Sequence, residues 1–209
     1  FLMDNVVVTA NKYATKQKEV ATIVNVVSPL IIESTASNSM ADVLNFQTGL
    51  RVEETCSNCG VPQIRINGLE GQYTQILMDS RPIFSSLASV YGLEQLPAGM
   101  VDRIEVIRGG GSALYGANAI AGVVNIITKE PTRNFFNVSN SSAFTVKGTY
   151  DINTNLNASI VSENQKAGIY LFGVQRNRQQ YDRDEDGFSD IPHLNSTTVG
   201  FRSFFKTSE

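Results

Sequence analysis

The spacing of hydrophobic positions changes once along the chain, near Glu130-Pro131. Before that point, short apolar runs alternate with capping and turn residues. Residues 20–27, VATIVNVV, predict a strand that Ser28-Pro29 breaks. Residues 38–50 predict a short helix with Ser37 or Ser39 as N-cap. Met40, Val43, Leu44 and Leu50 share its apolar side, and Gly49 stands near its end. Further strands are predicted over 64–67, 74–79, 104–108 and 123–128, with a helical turn over 97–100. The mixture is an α+β pattern.

After Pro131 the period becomes two. In residues 151–161, Ile152, Leu156, Ala158 and Ile160 fall on one side, and Asn153, Asn155, Asn157 and Ser159 on the other. Side chains alternate across a strand, so one face is apolar and one polar. Residues 167–178 repeat this less cleanly: Tyr170, Phe172 and Val174 oppose Leu171, Gly173, Gln175 and Asn177. Residues 197–206 are a further candidate strand. Such segments suit a membrane β-barrel, with the apolar side facing lipid. They also suit a soluble antiparallel sheet with one wet face. Three or four strands cannot close a barrel, so the expectation is a fragment of a longer protein.

The segment before the change carries more specific information. Residues 101–129 read VDRIEVIRGGGSALYGANAIAGVVNIITK: a strand, Arg108, three glycines, a turn of small residues and a second strand. A phosphate-loop reading fails, because no Lys-Ser/Thr follows the last glycine and no dinucleotide-type acidic residue follows in a βαβ unit. Glycine serves sharp backbone turns here. The segment resembles the end of the plug domain of TonB-dependent outer-membrane receptors, a small domain held inside a transmembrane β-barrel. Residues 64–82, IRINGLEGQYTQILMDSRP, resemble another plug segment of that family. Asn67-Gly68 replaces the usual Arg-Gly, and Asp79-Ser80-Arg81-Pro82 stands where Asp-Gly-Val/Arg-Pro is common.

The resemblance implies an α+β plug domain over residues 1–131. Antiparallel transmembrane β-strands of a truncated, plugged β-barrel follow over 132–209. It implies that Arg65, Arg103, Glu105 and Arg108 make buried ion pairs between plug and barrel wall. It also implies that Asp4, Asn5, Val6, Val7, Val8, Thr9 and Ala10 form the TonB box. That segment would add as a strand to a sheet edge of TonB, with backbone hydrogen bonds supplying affinity.

Net charge is −3, and no Lys/Arg block stands out, so no nucleic-acid partner is expected. No run reaches the ~18 apolar residues of a membrane-spanning helix, and this does not bear on strands. The N-terminus FLMDNVVV has no signal-peptide pattern, as expected of a processed chain. Cys56 and Cys59 stand in a loop-like CSNCG. A redox pair would open a helix after a strand, zinc needs four ligands where the chain has two cysteines and one histidine, and haem attachment needs His where Gly60 stands. The expectation is a small-loop disulfide, suited to an oxidising compartment.

In the family this cysteine loop is an apical, ligand-facing plug loop, as is 81–92. Ser57, Asn58, Arg81, Phe84, Ser85, Ser86, Leu87 and Tyr91 are therefore candidate ligand contacts. Residues 181–190, YDRDEDGFSD, place Asp182, Asp184, Asp186 and Asp190 as calcium candidates, although His193 stands where an EF-hand has its bidentate Glu. The vitamin B12 receptor branch carries a comparable acidic loop in an early barrel hairpin. The expected protein is a non-enzymatic importer in the bacterial outer membrane. It would require no cofactor, with calcium a candidate ion. Its expected partners are TonB, membrane lipids, a surface lipoprotein and a chelate: cobalamin, haem or a ferric siderophore. The alternative is a soluble plug-like module for binding or signalling.

Overall fold

A computed structural model describes residues 7–8, 15–16, 19, 23–35, 37, 39–54, 62–82, 96–110 and 112–206. The chain divides into two compact units. One comprises Phe1–Glu53, Pro62–Glu94 and Val101–Thr128; the other comprises Glu54–Val61, Gln95–Met100 and Lys129–Glu209.

In the first unit, β1 (Val7–Val8) pairs antiparallel with β2 (Thr15–Lys16), and β3 (Val24–Val27) follows. Ser28-Pro29 ends β3 and also starts a helix, α1 (Pro29–Ser34), that the sequence pattern did not reveal. Proline is tolerated there because the first N–H of a helix has no partner anyway. In α2 (Met40–Asn45), Ser39 is the N-cap. Its Oγ accepts the Asp42 amide at 3.3 Å, and Asp42 Oδ2 accepts the Ser39 amide at 3.1 Å. This reciprocal cap satisfies two otherwise orphaned donors. The helix buries Met40, Ala41, Val43 and Leu44. It is shorter than the predicted 38–50, because Gly49, at φ 78°, turns the chain into β4 (Leu50–Glu54). Leu50 is buried from a strand, not from a helix.

β5 (Pro62–Ile66) pairs with β4 in a ribbon of its own. β6 (Thr74–Met78), β7 (Arg81–Pro82), β8 (Val101–Arg108) and β9 (Gly122–Thr128) join β3 in a five-stranded sheet of order β3-β8-β9-β6-β7. Only the β6–β9 pair is parallel. The runs IEVI and VVNII are nearly all buried, as expected of central strands covered on both faces. Val24, Leu77, Ile107, Tyr115, Ala119 and Val123 pack as one cluster. At Gly122 a side chain would overlap the Ile107 carbonyl oxygen, so glycine permits the close β8–β9 approach.

The second unit is a four-stranded antiparallel meander. It comprises β10 (Phe135–Phe144), β11 (Tyr150–Val161), β12 (Ala167–Arg178) and β13 (Leu194–Phe205) in chain order. β10 was not predicted, because its polar centre NVSNSS masks the alternation. Register puts Phe136, Ala158, Leu171 and Phe201 in one row across the four strands. A neighbouring row holds Val138, Leu156, Gly173 and Val199. This face is solvent-exposed, with Phe136 at 70%, Val199 at 80% and Phe201 at 69%. The opposite face is the buried one and carries Asn153, Ser159, Tyr170 and Arg176. The sheet is therefore inside out relative to a soluble one, with polar groups sheltered and hydrocarbon outward.

The sheltered face is ordered by polar contacts. Arg176 grips Asp151 with two bonds, Nε–Oδ1 at 3.0 Å and Nη2–Oδ2 at 2.7 Å. The Tyr170 hydroxyl donates to Asn157 Oδ1 at 2.7 Å and lies 3.2 Å from the Gly99 carbonyl. The Phe172 ring covers Gly200, and the Phe204 ring covers Gly168, so a side chain at either glycine would meet an aromatic edge.

Candidate functional site

Two turns in the plug unit place its polar groups. Asn67 (φ 53°) and Gly68 (φ 83°) form a tight turn closed by the Leu69 amide on the Ile66 carbonyl at 3.0 Å. Asp79 (φ 47°) and Ser80 (φ 65°) form a second, between β6 and β7. Left-handed geometry is costly for a residue with a side chain, and here it is held from outside. Asp79 Oδ1 accepts the Thr128 amide at 3.0 Å, and its Oδ2 accepts the Thr128 hydroxyl at 2.8 Å. The Ser80 amide donates to Asn125 Oδ1 at 3.0 Å. The MDSRP motif is thus a turn locked onto the end of β9.

The partners described for these arginines lie within the plug unit. Arg65 Nε lies 2.6 Å from Glu53 Oε2 on the neighbouring ribbon strand. Arg103 reaches Glu105 Oε1 at 3.1 Å and Asp102 Oδ2 at 3.1 Å. Arg108 Nη2 donates to the Thr48 carbonyl, and the guanidinium lies against Gly49. Glu53, Asp102 and Glu105 stand on strands of the plug unit, and Thr48 stands in the turn before β4. Glu105 is fully buried and the arginines are not. One carboxylate deep in β8 therefore has its charge met by a guanidinium that still reaches solvent.

Of the expected TonB box, Val7 and Val8 are backbone-paired in β1; Asp4, Asn5, Val6, Thr9 and Ala10 lie outside the described residues. So do Cys56, Ser57, Asn58 and Cys59, and Phe84, Ser85, Ser86, Leu87 and Tyr91. Arg81 is described and exposed on β7.

The acidic loop joins β12 to β13 and is closed by paired backbone bonds between Tyr181 and Ile191 at 2.9 and 3.0 Å. Carboxylate oxygens of Asp182, Asp184 and Asp190 all lie within 4.8 Å of one another. Asp186 is not in this group, and its Oδ1 accepts the Phe188 amide at 2.8 Å. Two of the three are held by backbone donors: Glu185 and Gly187 amides on Asp182 at 2.7 and 3.1 Å, and the Arg183 amide on Asp190 at 2.8 Å. Hard carboxylate oxygens so grouped fit calcium, and their mutual repulsion is relieved by a cation.

Sequence reasoning missed Lys147, in the β10–β11 turn. Its Nζ bonds Glu185 Oε1 at 2.7 Å and the carbonyls of Asp182 and Arg183 at 3.2 and 3.0 Å. The Glu185 bond raises its pKa above the ordinary lysine value, ahead of the opposing effect of desolvation. The available signal was topological: antiparallel order brings turn 145–149 and loop 179–193 to one end of the sheet. Asp151 and Arg176 were also missed, although both are charged residues at sheltered positions, of β11 and β12.

A mixed sheet with two locked turns and, after it, an inside-out antiparallel meander are the elements of a plug domain and of outer-membrane barrel strands. The family model described as "TonB-dependent Receptor Plug Domain" matches residues 16–123. That span is more than half of the chain, which belongs to the TonB-dependent receptors of the bacterial outer membrane. Among curated relatives it is similar to the vitamin B12 transporter BtuB of Vibrio vulnificus strain CMCP6. The two are 37% identical over 125 residues, 60% of this chain and 20% of the relative. The BtuB of strain YJ016 is 29% identical over 174 residues, 80% of this chain and 28% of the relative. Among solved structures, the siderophore receptor PirA from Acinetobacter baumannii matches with a TM-score of 0.75 at 24% identity, over 92% of this chain and 30% of that one. The unliganded ferric citrate transporter FecA matches at 0.71 and 21%, over 91% and 29%. These structural likenesses establish the fold. The chain spans about 20% to 30% of the length of these relatives.

Proposed function

We propose that this chain forms the plug and the first barrel strands of an active importer of a metal chelate, with cobalamin ahead of haem and ferric siderophores. The observation that carries the transport reading is the inside-out meander following a receptor plug. A soluble binding or signalling module gains nothing from exposing Phe136, Val199 and Phe201 while burying Arg176 and Asn153. Cobalamin is favoured by the vitamin B12 transporters among the relatives and by the acidic loop.

In this reading TonB pairs with the segment around Val7 and Val8 and pulls. A strand already paired on one side by β2 offers its other edge for augmentation. Force then reaches the plug sheet through β3, which pairs with β8. Calcium, where bound, would be held by Asp182, Asp184 and Asp190. It would order the loop at the end of the sheet that carries the longer connection, the extracellular end of such barrels. The Cys56–Cys59 disulfide would stiffen a ligand-facing loop and lower the entropy cost of binding. No step is catalytic.

The test is a titration of the intact receptor in detergent with cyanocobalamin, in calcium and then in EDTA, with haemin as comparator. Tight binding strengthened by calcium is expected. Haemin binding without cobalamin binding would move the cargo to haem and leave the acidic loop a solvated turn.

A further inference from the structure

One side chain ties two hairpin connections of the meander together. The β10–β11 turn is stiff at its base. The Thr145 amide donates to the Thr149 carbonyl at 2.9 Å, and the Thr149 amide donates to Thr145 Oγ1 at 3.2 Å. Gly148, at φ 83°, places its amide on the Thr145 carbonyl at 3.0 Å. Lys147 stands inside this turn, so its side chain starts from a fixed base.

An ammonium has three N–H donors, and all three of Lys147 go to the β12–β13 loop. The acceptors lie 35, 36 and 38 residues further along the chain: the Asp182 carbonyl at 3.2 Å, the Arg183 carbonyl at 3.0 Å and Glu185 Oε1 at 2.7 Å. The ammonium also lies 5.9 Å from the centre of the Tyr181 ring, within reach of a cation–π contact. Two backbone carbonyls and a carboxylate are hard oxygens of the kind a metal ion takes. Here a lysine takes them. The chain bends at Glu185, left-handed at φ 65°. The Asp182 side chain holds the same bend through the Glu185 and Gly187 amides. The bend is therefore bonded twice, by its own side chain and by the neighbouring hairpin.

An exposed ion pair alone is worth little. The Lys147 contact differs because two of its three bonds go to backbone carbonyls, and bonds from a charged donor are the stronger kind. We infer that Lys147 is a positioning residue, the resident cation that keeps the 182–187 bend formed whether or not a metal ion is bound. Turn 145–149 and this bend then move as one body. Calcium, where bound, adds only the Asp184 and Asp190 side of the loop. The inference rests neither on calcium nor on which chelate is carried.

The test is hydrogen exchange on the intact receptor in detergent, without chelate, in calcium and in EDTA. The Glu185 and Gly187 amides report the bend; the Arg183 amide, bonded to Asp190, reports the proposed ion site separately. In the wild type, exchange at Glu185 and Gly187 should be the same in both buffers. Lys147→Met should speed it in EDTA by about three- to tenfold. Glu185→Gln, which keeps the carbonyl bonds, should speed it less. Lys147→Glu combined with Glu185→Lys keeps the ion pair but turns a carboxylate on the carbonyls, and should not restore slow exchange. Restoration by this exchanged pair would reduce the contact to a plain ion pair and overturn the inference. So would unchanged exchange in Lys147→Met, or wild-type exchange that EDTA speeds as much as Lys147→Met does. A calcium response confined to the Arg183 amide would support it.

Discussion

Replacing Phe201 by Arg tests which face of the meander meets lipid. Phe201 stands in the row Phe136–Ala158–Leu171–Phe201. That row has Leu156, Gly173 and Val199 on one side, and Ile160, Ile169 and Ser203 on the other. It therefore lies within the apolar band, not at its edge. A cation on the lipid face at mid-depth costs about 2–4 kcal/mol, falling to about 0–1 kcal/mol near the interfaces. The first range corresponds to roughly 30- to 700-fold in the folding equilibrium. The next residue, Arg202, already carries this charge on the sheltered face, where its Nη2 lies 2.7 Å from Glu130. Moving a guanidinium by one position should thus change a tolerated group into a damaging one. Ser139→Arg is the control, because Ser139 pairs with Asn155 on the sheltered face and should cost less than about 1 kcal/mol. The assay is denaturant titration of the intact receptor in phospholipid vesicles, with the folded fraction read by heat-modifiable gel mobility. An F201R cost below that of S139R would refute the inside-out assignment and with it the membrane reading.

Four other outcomes are expected. Deleting residues 4–10 should abolish energy-dependent uptake and leave equilibrium ligand binding intact; loss of binding in a filter assay would contradict the TonB-box assignment. Asn at Asp182, Asp184 and Asp190 together should remove any calcium dependence of ligand affinity, whereas Asp186→Asn alone should leave it, as titrations with and without EDTA would report. Two reactive thiols in the native receptor would contradict a Cys56–Cys59 disulfide, and Cys56→Ser should weaken ligand affinity only modestly. Because the pKa of Lys147 is raised, its contribution is fully present below the unfolded lysine value and is lost as pH rises through the higher folded one. Protease protection of loop 179–193 should therefore be flat from pH 7 to about 10 and fall only above that, and Lys147→Met should remove the alkaline transition.

The legible parts of the fold were those fixed by local chemistry. Ser37 or Ser39 announced a helix start and Ser28-Pro29 the end of a strand, because each acts on its own backbone; the Asp42 half of the cap and the Asn67-Gly68 turn were seen only in the structure. The illegible parts depend on distant partners. Asp79-Ser80 reads as a generic turn, and only the structure shows it held by Thr128 and Asn125 across the sheet. Arg65 and Arg103 were placed by a family motif alone, and only the structure shows Glu53 and Glu105 beside them. In the acidic loop the trio of Asp182, Asp184 and Asp190 was foreseeable and the exclusion of Asp186 was not. Asp186 turns instead to the Phe188 amide two residues on, between the left-handed residues Glu185 and Gly187.

Alternation in a strand carries one ambiguity that no single strand can remove. A period of two says that two faces differ, and it is unchanged when inside and outside are exchanged. Residues 151–161 fit a soluble sheet and a barrel wall equally well on that ground. What separates the two is whether the polar face holds groups that need shelter from competing water. Asp151 and Arg176 meet across β11 and β12 in a bidentate pair, and the Tyr170 hydroxyl has a partner in Asn157. The opposite side offers Leu156, Ile160, Leu171 and Phe205 nothing within the sheet to pack against. An aqueous sheet would have to hide those residues, whereas a lipid-facing one exposes them without cost. The sign of the pattern is thus set by its charged residues, and the hydrophobic ones set only its period.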